Sequence, residues 1–452
     1  MTSVKTCYGL ISSVENRGTV EIRARRLQVG RLGSCLCLIR ITPRADHIES
    51  VLDAKPFILT ERGARKTLSA EDAMIRTVRS LLLGLAILSV GAGIAAAGQF
   101  QKAAYYHSAG EPWTLAVAHL TQSGNLDLAV ADVFQGRVAI LLGNGDGTFQ
   151  APRTFPVPNP VKIATGDFNE DGNEDLAVTE FNGTGDGSLA IFLGDGKGGF
   201  KLSASYPIGA VSAFVTVADF NGDGHLDAAV SDQGVDSTPG DVIVFFGDGH
   251  GKLSRVAKFK MPHQQPGGIA AGDLNGDHHP DLAVTLAATG SVAVFINDGS
   301  GKFLTPVTYS AGGGAAVDVK IADLRNNGKR DLVVANLSQG MVVLLNQGDG
   351  TFGKPTIYQP TFQNWQPPEA CTVADFNLDG KLDVACAAHL NDAYVFYGKG
   401  NGTFKPGVEI HETINHQGGY SIAAADFNHD GSPDLAIPIE EYGKVAILLN
   451  TQ

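Results

Sequence analysis

The chain has 452 residues, 43% of them hydrophobic, with 56 glycines and 18% charged residues; this is ample material for a core, but one made of many short elements and tight turns rather than long helices. Charge is uneven: residues 1–97 carry 14 Lys+Arg against 8 Asp+Glu, a net of +6, and residues 98–452 carry 20 against 39, a net of −19. A body that acidic repels phosphate backbones and anionic lipid, which argues against nucleic acid as a partner.

Residues 1–73 are Arg-rich, lack periodicity and hold Cys7, Cys35 and Cys37. They read either as sequence upstream of a true start at Met74 or as a cytoplasmic tail. Met74 opens a segment, 74–97, with Arg76 and Arg79, an apolar run at 80–88 and small residues ending at Ala97. This is the layout of a secretory signal peptide cleaved before Gly98. An uncleaved anchor is the other reading, and the only membrane attachment expected. Both place the body outside the cytoplasm, either secreted or at the cell surface or in the periplasm.

From residue 98 onward the sequence repeats. ATGDFNEDGNEDLAV at 164–178 returns as VADFNGDGHLDAAV from 217, AGDLNGDHHPDLAV from 271, VADFNLDGKLDVAC from 373 and AADFNHDGSPDLAI from 424, with weaker copies from 118 and 321. Seven copies at roughly fifty-residue spacing indicate a repeat architecture. Each is followed by an apolar strand and a glycine turn that ends in Phe149, Phe200, Leu253, Phe303, Phe352 or Phe404. The seventh such residue is Phe100, at the other end of the body. A ring explains the split, with an N-terminal strand completing the blade begun by the C-terminal strands and leaving no open end.

The runs between turns are four to six residues of Val, Ile, Leu and Phe, too short for helices. Small residues beside the Asp-rich loop, as at 176–178 and 228–230, suggest strands near a crowded axis, and the bulkier strands that follow suggest sheets sandwiched between sheets. The expected fold is all-β, a seven-bladed β-propeller over 98–452 closed by pairing of the N- and C-terminal strands.

In the best copies the loop reads Asp-x-Asn-x-Asp-Gly-x-x-Asp. Oxygen-bearing side chains at positions 1, 3 and 5 converge when the backbone curls, glycine at 6 permits the turn, and position 7 offers a carbonyl. All-oxygen, carboxylate-rich sites select a hard cation, and their flexible geometry favours Ca²⁺. Five sites are expected. They are Asp167, Asn169, Asp171, Asn173 and Asp175; Asp219, Asn221, Asp223, His225 and Asp227; Asp273, Asn275, Asp277, His279 and Asp281; Asp375, Asn377, Asp379, Lys381 and Asp383; and Asp426, Asn428, Asp430, Ser432 and Asp434. The fourth loop departs by placing His278 at the glycine position. No calcium is expected in the first loop (His119, Thr121, Ser123, Asp127) or the fifth, where an Arg325 guanidinium could take the cation's place.

These loops, with the glycine-turn strand ends, resemble the FG-GAP/VCBS repeats of integrin α-subunit propellers and many secreted bacterial proteins. The resemblance covers 98–452. It implies calcium in blade hairpin loops and roles in adhesion or in carbohydrate or protein recognition, without naming one ligand.

Cys371 and Cys386 flank the sixth loop at same-face positions and suit either a disulfide or a pair of buried thiols. In the segment 359–370, which departs from the repeat, Phe362 and Trp365 either contact a ligand or fold down over the blade edge. No catalytic triad, zinc spacing or phosphate loop stands out. The leading reading is a non-enzymatic module for an extracellular glycan or protein; the alternative is a polysaccharide-active lyase or hydrolase, or its accessory domain.

Overall fold

The structure, a computed structural model, describes residues 100–108, 110–181, 187–209, 213–234, 240–261, 264–362, 365–388, 391–410 and 420–452. The leader, tail and start-site readings for residues 1–97 lie outside these.

The described residues form seven four-stranded antiparallel sheets, the blades of a β-propeller. Blade one runs from the axis outward as Pro112–Ala118, Asp127–Asp132, Arg137–Leu141 and Arg153–Pro156. Blades two to six begin at Pro160–Gly166, Ala213–Ala218, Pro266–Gly272, Ala316–Ala322 and Pro368–Ala374. The seventh joins both ends of the body: Ala423–Ala425, Asp434–Ile439 and Lys444–Leu448 pair in order, and Ala104–His107 adds the outer strand. Its register runs from Ala104 opposite Ile447 to His107 opposite Lys444, and Phe100 bridges Asn450.

The first strands of successive blades pack against one another around a closed ring, Ala423–Ala425 completing it against Pro112–Ala118. This corrects the sequence reading of the axis: the small-residue strands after the Asp loops, such as Asp227–Asp232, are second from the centre. Both faces of that strand are buried, because each sheet is covered by its neighbours, and this is why it reads as a continuous apolar run instead of an alternating one. Outer strands meet solvent and alternate, as Leu253–Met261 does.

Blade-to-blade packing follows one rule. The large apolar residue after the glycine turn meets the apolar residue at position 2 of the preceding blade's Asp loop: Phe149 on Phe427 with centroids 5.5 Å apart, Phe303 on Phe220 at 5.7 Å, and Phe100 on Phe376 at 6.0 Å. The Phe100 contact obeys the rule across the chain ends. Side-chain amides add polar ties along the same seams, Asn297, Asn346 and Asn450 donating to the carbonyls of Phe220, Leu274 and Phe376 at 2.7, 2.7 and 2.8 Å.

Closure predicts that a chain beginning at Ser108 loses the outer strand of blade seven and the Phe100 plug together. Compared with a chain beginning at Gly98, its thermal unfolding should broaden and its midpoint fall by many degrees. An unchanged, sharp transition by circular dichroism would show that the ring does not depend on this strand.

Candidate functional site

The Asp loops all join the first and second strands of their blades, so they share one face of the ring. In the second blade Asp167 accepts from the backbone N–H groups of Asp171 and Gly172 at 3.1 and 2.8 Å, and Asn169 Oδ1 accepts from Asp171 N at 3.2 Å. Asp171 Oδ1 accepts from Asn173 N at 2.9 Å. The third, sixth and seventh loops repeat the pattern, as with Gly224 N to Asp219 at 2.8 Å, Gly380 N to Asp375 at 2.7 Å and Gly431 N to Asp426 at 2.8 Å. The fourth keeps it as well: His278 adopts φ 70° and donates to Asp273 at 3.0 Å. Holding a non-glycine residue there costs about 1 kcal/mol.

Position 9 is different in kind. Asp175 is fully buried and accepts from Phe168 N at 2.9 Å and Gly194 N at 2.8 Å, fastening the Asp loop to the hairpin between the blade's third and fourth strands. Asp227, Asp281, Asp383 and Asp434 do the same. Burial, with the like charges at positions 1 and 5 adding to it, pushes each of these five carboxyls up to about 6. Among the described residues no three His, Cys, Asp or Glu side chains form a ready-made metal cage; the loops combine carboxylates with an amide oxygen and a backbone carbonyl.

The fifth loop tests whether these residues suit a cation. There the Arg325 guanidinium donates to both oxygens of Asp331, at 3.1 and 2.7 Å, and to the Asn346 carbonyl at 2.6 Å. A positive group thus sits beside position 9 in the loop that lacks the full acidic set. In the first loop hydroxyls replace the charges: Thr121 donates to Asp127 at 3.1 Å and pairs with Ser123. The five acidic loops therefore fit a divalent ion, held by positions 1, 3, 5 and 9 and the position-7 carbonyl. The sixth adds a competitor, since Lys381 Nζ lies 3.0 Å from Asp379. Neighbouring loops also touch, Glu170 meeting the His225 ring.

Cys371 and Cys386 stand opposite each other in register on the first two strands of blade six, with sulfurs 2.06 Å apart. Phe362 packs on Tyr394 with centroids 6.2 Å apart and joins the core between blades five and six. Trp365 is half-buried.

The opposite face holds a feature that the sequence reading missed. At the start of five inner strands the register slips by a bulge, between Pro112 and Thr114, Pro160 and Lys162, Pro266 and Ile269, Ala316 and Asp318, and Pro368 and Ala370. Bulges re-aim side chains. Here they bring Trp113, Val161, Gly267, Val317 and Glu369, with Lys162, Phe214 and Tyr420, around a cavity of about 170 Å³ at the mouth of the central channel. Trp113 packs against Tyr420 at 5.1 Å and Phe134 at 5.5 Å and donates its indole N–H to Glu440 at 3.0 Å. Lys162 Nζ lies 4.6 Å from the centre of the Phe214 ring, and burial holds its ammonium down to about 8, against the opposing pull of Asp318 and Glu369.

A closed ring of seven blades with Asp loops on one face and a side-chain-lined mouth on the other is a recognition or adhesion type of propeller. The family model of the FG-GAP-like repeat matches residues 119–178, 167–230, 273–334, 323–386 and 375–437, more than half of the chain, and the chain belongs to that family. Human integrin alpha-6 is 26% identical over 167 residues, 33% of this chain and 15% of that protein, so the chain matches only a small part of this relative's length. Among solved structures, BBS1N in complex with ARL6DN is similar at a TM-score of 0.51 and 13% identity, covering 78% of this chain and 98% of that one, a likeness of fold. A lectin of Agrocybe aegerita described as recognising non-reducing terminal N-acetylglucosamine aligns at a TM-score of 0.49 and 20% identity over 67% of this chain and 81% of that one.

Two outcomes are expected. Arg325→Met strands Asp331, which is fully buried, without its partner; chemical denaturation should show a loss of about 3 kcal/mol, partly restored in Arg325→Lys. Lys162 contributes a pH dependence of known sign. Its folded value of about 8 lies below the ordinary 10.5, so between those values the unfolded chain binds more protons and stability rises with pH. Lys162→Met should remove that rise, and an identical slope in the variant would show that the amine is not desolvated.

Proposed function

We propose that this propeller is an extracellular recognition or adhesion module, stapled by calcium in five of its seven loops, which binds a glycan or protein ligand without transforming it. The observation that carries the metal part is the contrast between loops. Five place two acidic side chains and an Asn around a buried Asp, and the fifth loop supplies an Arg guanidinium instead. Calcium would neutralise the repulsion among these carboxylates and fix the face they share. Family membership supports the recognition role, and the leader-like segment at 74–97 supports export.

A second reading, a polysaccharide lyase or hydrolase, rests on one observation. Lys162, Glu369 and Tyr420 converge at the channel mouth, with an amine that loses its proton at about pH 8. Incubating the chain with a panel of polysaccharides, following reducing ends and unsaturated products, separates the two. Sustained turnover abolished by Lys162→Met would replace the first reading with the second.

The metal proposal predicts a large rise in the thermal midpoint from excess chelator to millimolar calcium. Each site held tenfold above its dissociation constant adds about 1.4 kcal/mol. Asp223→Ala should lower the calcium bound per chain by one ion, and Arg325→Met should leave the count unchanged. A midpoint indifferent to calcium would mean that the loops are metal-free turns.

A further inference from the structure

We propose that the mouth of the central channel, on the face opposite the Asp loops, is a binding site for a single neutral sugar ring, the terminal unit of a glycan. The proposal rests on the glycan branch of the recognition reading and gives it a place and a ligand class.

Three features of the mouth point this way. The first is shape: a cavity of about 170 Å³ on the axis admits one ring and a linkage, not a folded partner. The second is the pairing of surfaces. A pyranose presents an apolar C–H face and a polar edge of hydroxyls, and it needs an aromatic plane for the one and fixed donors and acceptors for the other. Trp113 and Tyr420 form an aromatic corner, their planes tilted by 43°. Glu369, Gln233 and the Lys162 ammonium lie around the same cavity.

The third feature is charge. Lys162 is the cation at the cavity wall, Glu369 lines it, and Glu440 stands behind Trp113. Lys320 and Asp318, the next charged pair, cancel one another, the ammonium donating to both carboxylate oxygens at 2.8 Å. Among the described residues the local balance is therefore about one negative charge, which disfavours uronic or sialic acids and leaves neutral or N-acylated sugars.

The site is also braced before any ligand arrives. Next to the bulge at Val161, Thr179 Oγ1 accepts from the N–H of Lys162 at 3.1 Å. Glu111 N, just before the first strand of blade one, donates to Asp132 at 2.8 Å. Thr114 Oγ1 donates to Val161 O at 2.7 Å and ties the first two inner strands together.

The chain has two tryptophans, which gives a direct test. In full-length Trp365→Phe the fluorescence reports on Trp113 alone. Titration with glucose, galactose, mannose, N-acetylglucosamine and glucuronate should give a saturable shift with at least one neutral or N-acylated sugar and none with glucuronate. Glu369→Gln and Tyr420→Phe, each small enough to keep the fold, should weaken the response at least tenfold while the calcium-dependent midpoint stays in place. Absence of a saturable response to every sugar overturns the proposal, as does a response that both variants leave intact. A parallel glycan array with the same chain keeps the broader reading separate. Array binding unaffected by Glu369→Gln would place recognition elsewhere on the ring and sink only this site, whereas no array binding removes the glycan branch itself.

Discussion

A buried aspartate holds each blade together. In all seven repeats the carboxylate at position 9 has no exposed surface, and in each it accepts a backbone N–H from the start of the hairpin between the blade's third and fourth strands, Gly143 for Asp127 and Asn346 for Asp331 among them. In the five acidic loops it also accepts the N–H of position 2. Charge-assisted bonds to backbone N–H groups are among the stronger ones available, and they must be, because ionised carboxyls are costly to bury. The cost persists in the carboxyls raised to about 6. A cation beside them would offset it, and Arg325 shows one way of supplying that charge from the chain itself.

Position 2 links this staple to the next blade. In the acidic loops its N–H is held by the buried Asp, its side chain takes the neighbour's Phe or Leu, and its carbonyl accepts from the neighbour, as when Gly251 N reaches Phe168 O at 2.8 Å and Gly147 N reaches Phe427 O at 3.0 Å. Loop conformation, hairpin position and blade spacing are thus fixed at one residue. Repetition of that residue around a closed ring leaves no terminal blade in need of a cap, since Phe100 at the N-terminal end of the body, bridged to Asn450 at the other end, makes the same contact on Phe376 of blade six.

The ring was legible in the sequence because its parts repeat. The Asp loops set the period, the Phe or Leu after each glycine turn marks the hairpins, and the seventh such residue, Phe100 at the other end of the body, reveals closure. Position 9 was legible as an aspartate but not in its full role, because a carboxylate beside other Asp and Asn residues reads as a metal ligand. Its presence as Asp127 and Asp331, in the two loops where no metal was expected, carries the structural meaning. The channel mouth was not legible at all. Trp113, Val161, Gly267, Val317 and Glu369 occupy comparable places but share little chemistry, and a bulge that turns a residue toward the axis leaves no trace in an alternating pattern. Phe362 stood open between ligand contact and burial, because an aromatic among prolines in an irregular segment suits either, and its ring packs on Tyr394.

The two faces divide the work by periodicity. What every blade needs, the buried Asp, the curled loop and the aromatic seam, recurs at fifty-residue spacing and lies on or near one face. What only one place on the molecule needs cannot recur, so it falls to positions where the blades differ, and the inner-strand bulges gather those positions around one axis. Side chains projecting from a ring fixed by seven internal staples lose little further freedom when a ligand arrives, and such preorganisation is where affinity for a small, weakly contacting ligand is most easily gained. On the proposed reading the uniform face would serve the variable one: the rigidity supplied by the Asp loops would let single, non-repeated residues at the opposite mouth act together.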